Sequence, residues 1–209
     1  MTSKSDNSKG ASFGSTETEL KAFFVNLGQV TFDINSLTFR NYPFDNSVVS
    51  ANSEISSKDM INICLKSAPP TIKVSNELIF ISAEHKQDLA AFANRNKISL
   101  CERVELWDWI LEPFLDTDFT DEHKERLYRL LERYELNRQT VDHLRETVKE
   151  QMMKYNFDTM LWEWGMFGAL DVLQAMRPKL NSEDFNSFYK QVMEIALRPD
   201  SIDEKPSHS

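Results

Sequence analysis

Nine carboxylates crowd the stretch from Glu102 to Glu125: Glu102, Glu105, Asp108, Glu112, Asp116, Asp118, Asp121, Glu122 and Glu125. Only two lysines or arginines, Arg103 and Lys124, stand among them. Acids at this density repel one another unless their field is used, either by a cation or by a basic surface. The cation reading is tested first by spacing. Asp116, Asp118 and Thr120 occupy the first, third and fifth positions of a calcium loop of the EF-hand type. The sixth position is then Asp121, where the turn needs glycine, and the twelfth is Leu127, where a bidentate glutamate is needed. The pattern fails, and no metal ligand set is assigned.

The basic-surface reading selects Asp108, Trp109, Glu112, Asp116, Asp118, Asp121 and Glu122 as candidate partner-binding residues. Trp109 falls off the main apolar face of its predicted helix, beside Asp108 and Glu112. An indole among acids can anchor an arginine-rich partner through ion pairing and cation–π contact. The plain alternative is a solvated face, in which Asp121 and Glu122 serve the first turn of a helix capped by Thr120.

A second constellation, a candidate pocket, lies in the most apolar stretch. Trp162, Glu163, Trp164 and Asp171 fall within a predicted helix over 158–176 that is hydrophobic almost all round, the pattern of a buried central helix. Glu163 and Asp171 are eight residues apart, about 12 Å along a helix axis, too far to share a proton. Buried, each needs a partner such as Arg145, Lys154 or Arg177. Aromatic walls with one or two acidic groups suit a ligand pocket.

The other reactive residue types offer little. His85, His123, His143 and His208 form no HExxH, Cys–His or Ser–His–Asp arrangement, and glycine-rich phosphate loops are absent. Cys64 and Cys101 have no metal-ligand spacing and read as reduced, buried thiols. No cofactor is expected.

These residues must be positioned by elements that the hydrophobic pattern suggests. Thr16 and Glu19 make a capping box opening a short helix with Leu20, Phe23, Phe24 and Leu27 inward, ended by Gly28. Val30, Phe32 and Ile34 alternate as in a strand, and Leu37 and Phe39 begin a second. Ser57 is expected to cap a helix through Leu65, interrupted by Pro69-Pro70. Strands at 71–74 and 77–81, a helix over 83–96 and a strand at 98–101 suggest a small βαβ element. From Val104 onward the chain reads as helical, with an αα-hairpin of 121–135 and 138–155 and a last helix capped by Asn181 or Ser182.

The order of these early elements, with Asp59 and Thr71-Ile72-Lys73, resembles the core of the restriction-endonuclease-like nucleases. That family places an acid or glutamine two residues before the lysine, and Thr71 stands there instead. The resemblance implies at most a catalytically inactive relative.

The expected architecture is α+β: a small mixed β-sheet with short helices packed on a C-terminal bundle of four to five helices. The expected division is a tail over 1–15, a mixed α/β part over 16–103, a helical part over 104–198 and a tail over 199–209. Residues 1–103 carry 11 lysines and arginines against 11 acids, whereas 104–209 carry 13 against 22, so the whole net charge of −9 lies in the second half. A pI near 5.0 argues against sequence-independent nucleic-acid binding. A polar N-terminus and the acids within 160–176 argue against a secretory signal and a membrane span, so a soluble cytoplasmic protein is expected. The favoured function is a non-catalytic, acidic interaction or regulatory protein, inhibitor- or antitoxin-like, that binds a basic partner. The alternative is a metal-assisted hydrolase or small-ligand-binding protein with its site between sheet and helices, using Glu163 or the Asp116/Asp118 pair. A helical homo-oligomer is a third reading.

Overall fold

The computed structural model describes residues 15–50, 53–114, 120–159 and 166–201. Helix α1 (Glu17–Phe23) opens as its sequence dictates. Glu19 N–H donates to Thr16 Oγ1, and Thr16 N–H donates back to Glu19 Oε2 at 2.7 Å. Strands β1 (Gln29–Phe32), β2 (Ser36–Arg40) and β3 (Glu54–Ser56) form an antiparallel sheet in that order, with Val30 opposite Phe39 and Leu37 opposite Ile55. Strands β4 (Met60–Cys64), β5 (Thr71–Val74) and β6 (Glu77–Phe80) form a second antiparallel sheet. The β5–β6 hairpin turns at Ser75-Asn76, where Ser75 takes a φ of 51°.

The helix expected to begin at Ser57 is not formed. One 3-10 turn (Ser57–Asp59) leads straight into β4. Met60, Ile63 and Cys64 are buried while Ile61 is half exposed. A short apolar run of this kind suits either period, and pairing with β5 decides it. The expected mixed sheet is also refined. All named strand pairs are antiparallel, and among the described residues parallel character is confined to one bridge, Ile63 opposite Leu100. It follows helix α2 (Lys86–Asn96), and its hydrogen bonds run from Ile63 N–H to Ser99 O and from Cys101 N–H to Ile63 O.

The second half contributes α3 (Leu106–Leu111), α4 (Asp121–Glu132), α5 (Arg138–Thr159), α6 (Ala169–Met176) and α7 (Ser182–Ala196). Thr120, Asn137 and Asn181 each accept a backbone N–H at the start of α4, α5 and α7. A continuous helix over 158–176 is not formed. Helix α5 runs to Thr159, residues 166–168 are non-helical, and Gly168 is the N-cap of α6 with extended backbone. Asp171 reaches back to accept Gly168 N–H at 2.7 Å, which fixes the start of α6.

The two halves share one buried apolar cluster, in which Leu37, Phe39, Ile63, Ile72 and Phe92 join Trp107, Val148, Leu173 and Val192. A polar clasp crosses the same boundary, where Tyr189 donates to Glu77 Oε1 at 2.6 Å, and within the second half Trp107 Nε1 donates to Val192 O at 3.1 Å. Helix α1 packs with α5 and α6 rather than on the sheets. Its Phe23 meets Tyr155 edge-on, with ring centroids 5.1 Å apart. Among the described residues, no helix is long and apolar enough to cross a membrane.

Candidate binding cleft

Three segments enclose a cleft of about 300 Å³: the turn after β4 (66–68), the stretch 103–109 that enters α3, and residues 166–168 before α6. Each is placed by local chemistry. Arg103 donates to Asn62 Oδ1 at 3.0 Å and to Thr71 Oγ1 at 3.1 Å, which fastens the approach to α3 onto the second sheet. Arg145, buried on α5, donates to the carbonyls of Ile110 (2.9 Å) and Trp109 (3.3 Å), satisfying the C-terminal end of α3. Gly168 lies under the Glu105 carboxyl, 3.5 Å from where a Cβ would stand.

Three carboxyl groups converge here. Glu105, the N-cap residue of α3, has its carboxyl pushed up to about 7. Burial is the main cause, and the nearby charges of Asp171 and Asp108 add to it, against a hydrogen bond from Trp107 N–H and the more distant Arg103. Its Oε1 is buried and has no hydrogen-bond partner among the described residues. Asp108 is pushed up to about 6, again by burial first, although Phe167 N–H donates to it at 3.3 Å. Asp171 lies deeper. Burial raises it, against hydrogen bonds from Gly168 N–H and from the Tyr155 hydroxyl at 2.8 Å.

The residues selected from sequence thus separate. Asp108 and Trp109 line the cleft, with Asp171 behind it. Trp109 is partly buried, and its ring meets Tyr134 at 6.0 Å in an edge contact. Glu112 pairs with His123 Nε2 at 2.7 Å. Asp121 and Glu122 are exposed in the first turn of α4, apart from the cleft lining. Asp116 and Asp118 lie outside the described residues, as do Trp162, Glu163 and Trp164. The partner expected for a buried Asp171 was a base. It is instead Tyr155 with Gly168, because Arg145 is committed to α3 and Lys154 pairs with Glu19. Other acids of the run are neutralised within the chain, Glu102 by Lys66 and Glu125 by Arg138.

Glu105 belongs to the acidic run but is not among the partner-binding residues that sequence reasoning selects from it. Its signal was faint: an acid directly before Leu106 and Trp107, where the chain enters its core. Among the described residues, no group of three or more His, Cys, Asp or Glu side chains is placed to hold a metal ion. The Thr71 of the nuclease-like pattern is buried and accepts from Arg103. A larger groove of about 620 Å³ runs between the β5–β6 hairpin and α7, but its acids are already engaged, Glu77 by Tyr189 and by Val48 N–H and Glu194 by Arg198, whose own buried Nε lacks an acceptor among the described residues. Of the two, the smaller cleft is the one whose lining holds a carboxyl oxygen without a donor. No family model matches the chain, and no curated protein and no solved structure is significantly similar to it.

Proposed function

We propose that the chain is a non-catalytic interaction protein that receives a cationic side chain of a basic partner in the cleft lined by Glu105, Asp108 and Trp109. The observation that carries this reading is the orphaned Oε1 of Glu105. A buried carboxyl oxygen without a donor is costly, and a guanidinium or ammonium group supplies the missing donors. Asp108 beside it offers further lone pairs, and Trp109 offers an aromatic surface for the cation. The chain's own bases in the cleft are committed elsewhere, Lys66 to Glu102 and Arg103 to Thr71 and Asn62.

Because Glu105 and Asp108 titrate near 7 and 6 in the free protein, cation binding should draw both into the charged form and release protons. Titration of the full chain with an arginine-rich peptide should therefore show affinity rising from about pH 5.5 to 8 and falling with salt. Glu105→Gln with Asp108→Asn should weaken binding at least tenfold, about 1.4 kcal/mol. Asp121→Asn with Glu122→Gln, a control on the exposed start of α4, should weaken it less. Equal affinity of the cleft variant and the parent would overturn the reading. A free alkylamine that raises the melting temperature as much as the peptide does would make the cleft a small-amine site instead.

A further inference from the structure

We propose that Cys64 and Cys101 form a thiol–disulfide exchange site, closing a reversible intramolecular disulfide when the chain meets a small-molecule disulfide such as oxidised glutathione. The geometry is set by backbone. Ile63 and Leu100 are bridge partners in parallel pairing, held by hydrogen bonds of 3.0 and 2.9 Å on either side of Ile63. In parallel pairing the next residues on each segment are also opposite one another and point to the same face. Those residues are Cys64 and Cys101. Neighbouring strands lie about 4.8 Å apart, inside the Cα separation of about 4.4–6.8 Å that a disulfide spans. Side-chain contacts agree with this placement. Cys101 Sγ donates to Asn62 Oδ1 at 3.3 Å, and Asn62 shares the Cys64 face of β4, two residues back. Arg103 reaches both Asn62 and Cys101 Sγ, the latter at 3.7 Å.

The two sulfurs are not equivalent, and the difference sets their order of reaction. Cys64 is 1% exposed, whereas Cys101 is partly exposed, so the external disulfide meets Cys101. Burial would raise the Cys64 thiol, but hydrogen bonds from the backbone N–H groups of Arg103, Ser67 and Lys66 and from the Ser67 hydroxyl outweigh it and lower the thiol. Burial raises Cys101, with Arg103 opposing and Cys64 adding to the rise. In the first step the Cys101 thiolate attacks one sulfur of the small disulfide, forming a mixed disulfide and expelling one thiolate. In the second, the Cys64 thiolate attacks Cys101 Sγ and expels the other. The two protons leave to solvent or to the expelled thiolates. The chain loses two electrons, and the small disulfide is reduced to two thiols.

The product would tether the edge of β4 to the segment that carries Arg103 and Glu105 into the cleft. The site itself stands apart from the proposed function, since neither cysteine lines the cleft.

The test is intact mass spectrometry of the reduced full chain, equilibrated in glutathione buffers of increasing oxidation and quenched by alkylation under denaturing conditions. The expected product lacks two hydrogens and takes up no alkylating agent. Cys64→Ser should instead stop at a persistent glutathione adduct on Cys101, and Cys101→Ser should keep a free thiol. Parent protein that accumulates the adduct without losing two hydrogens would overturn the proposal. So would a parent with both thiols still alkylated at the most oxidising poise.

Discussion

The Glu105 carboxyl is the residue in which folding and binding compete. Its raised value means that the folded chain holds this proton more tightly than the unfolded chain does. The stabilisation is complete below about 4.5, declines as pH rises toward 7, and is gone above 7. A rise from 4.5 to about 7 corresponds to something on the order of 3 kcal/mol. Urea denaturation at about pH 5 and pH 8 should therefore show Glu105→Gln gaining on the parent by about that amount as pH rises. Parallel stability curves for the two proteins would refute the assignment. Residue types announced part of this site. Asp108 and Trp109 stood out as an acid beside an off-face indole, and Asp171 as an acid in an apolar stretch. What could not be read was which acids would be buried. Glu102 and Glu105 look alike in the chain, yet one faces Lys66 at the surface and the other lies over Gly168. That choice is made by long-range packing, which charge density does not encode. Cys64 and Cys101 were opaque for the same reason: 36 residues lie between them, and only the bridge at Ile63 makes them neighbours.

At the scale of elements, one side chain shows how local signals acquire distant work. Glu19 was recognisable as the second half of a capping box. The same carboxylate also accepts from Gln151 Nε2 at 3.2 Å and Lys154 Nζ at 3.0 Å, pinning α1 to the middle of α5. The backbone N–H of Thr16 is the largest influence on its titration. Burial opposes it, Lys154 assists, and the carboxyl falls to about 2. Its contribution is thus present above about 4.5 and lost as pH drops toward 2, opposite in sign to that of Glu105. Glu19→Ala should cost about 2 kcal/mol and strip hydrogen-exchange protection from the amides of α1. An unchanged melting temperature at neutral pH would show that the clasp is idle. Elements with a cap and a clear period were legible, as α4, α5, α7 and the β5–β6 hairpin show. The failures came where one signal served two outcomes. The apolar run at 60–65 fits either a helix or a strand, and pairing with β5 chose the strand. The run 158–176 carries enough hydrophobicity for one long helix, but Gly168 and the back-reaching Asp171 carboxylate start a new one.

At the scale of the whole molecule, the charge boundary near residue 103 invites a division that the packing does not respect. Chain order puts α1 with the sheets, whereas its contacts put it with α5 and α6. The buried cluster runs unbroken from Phe39 and Ile72 to Trp107 and Val192, and Glu77–Tyr189 closes over it. Neither half can leave without exposing the other's apolar surface, so the two should unfold together. The sequence supplies separate reporters. All four tryptophans (107, 109, 162 and 164) lie in the second half, while Cys64 is buried in the second sheet of the first half. In a urea titration of the reduced protein, tryptophan emission and alkylation of Cys64 in a Cys101→Ser background should share one midpoint. The folding surface exposed should give a single slope characteristic of a chain of this length. Two separated midpoints, with the thiol opening first while tryptophan emission keeps its native value, would mean that the halves are independent units. In that case the acidic second half would hold its core alone, and the clasp between Glu77 and Tyr189 would be a docking contact instead of part of one cooperative structure.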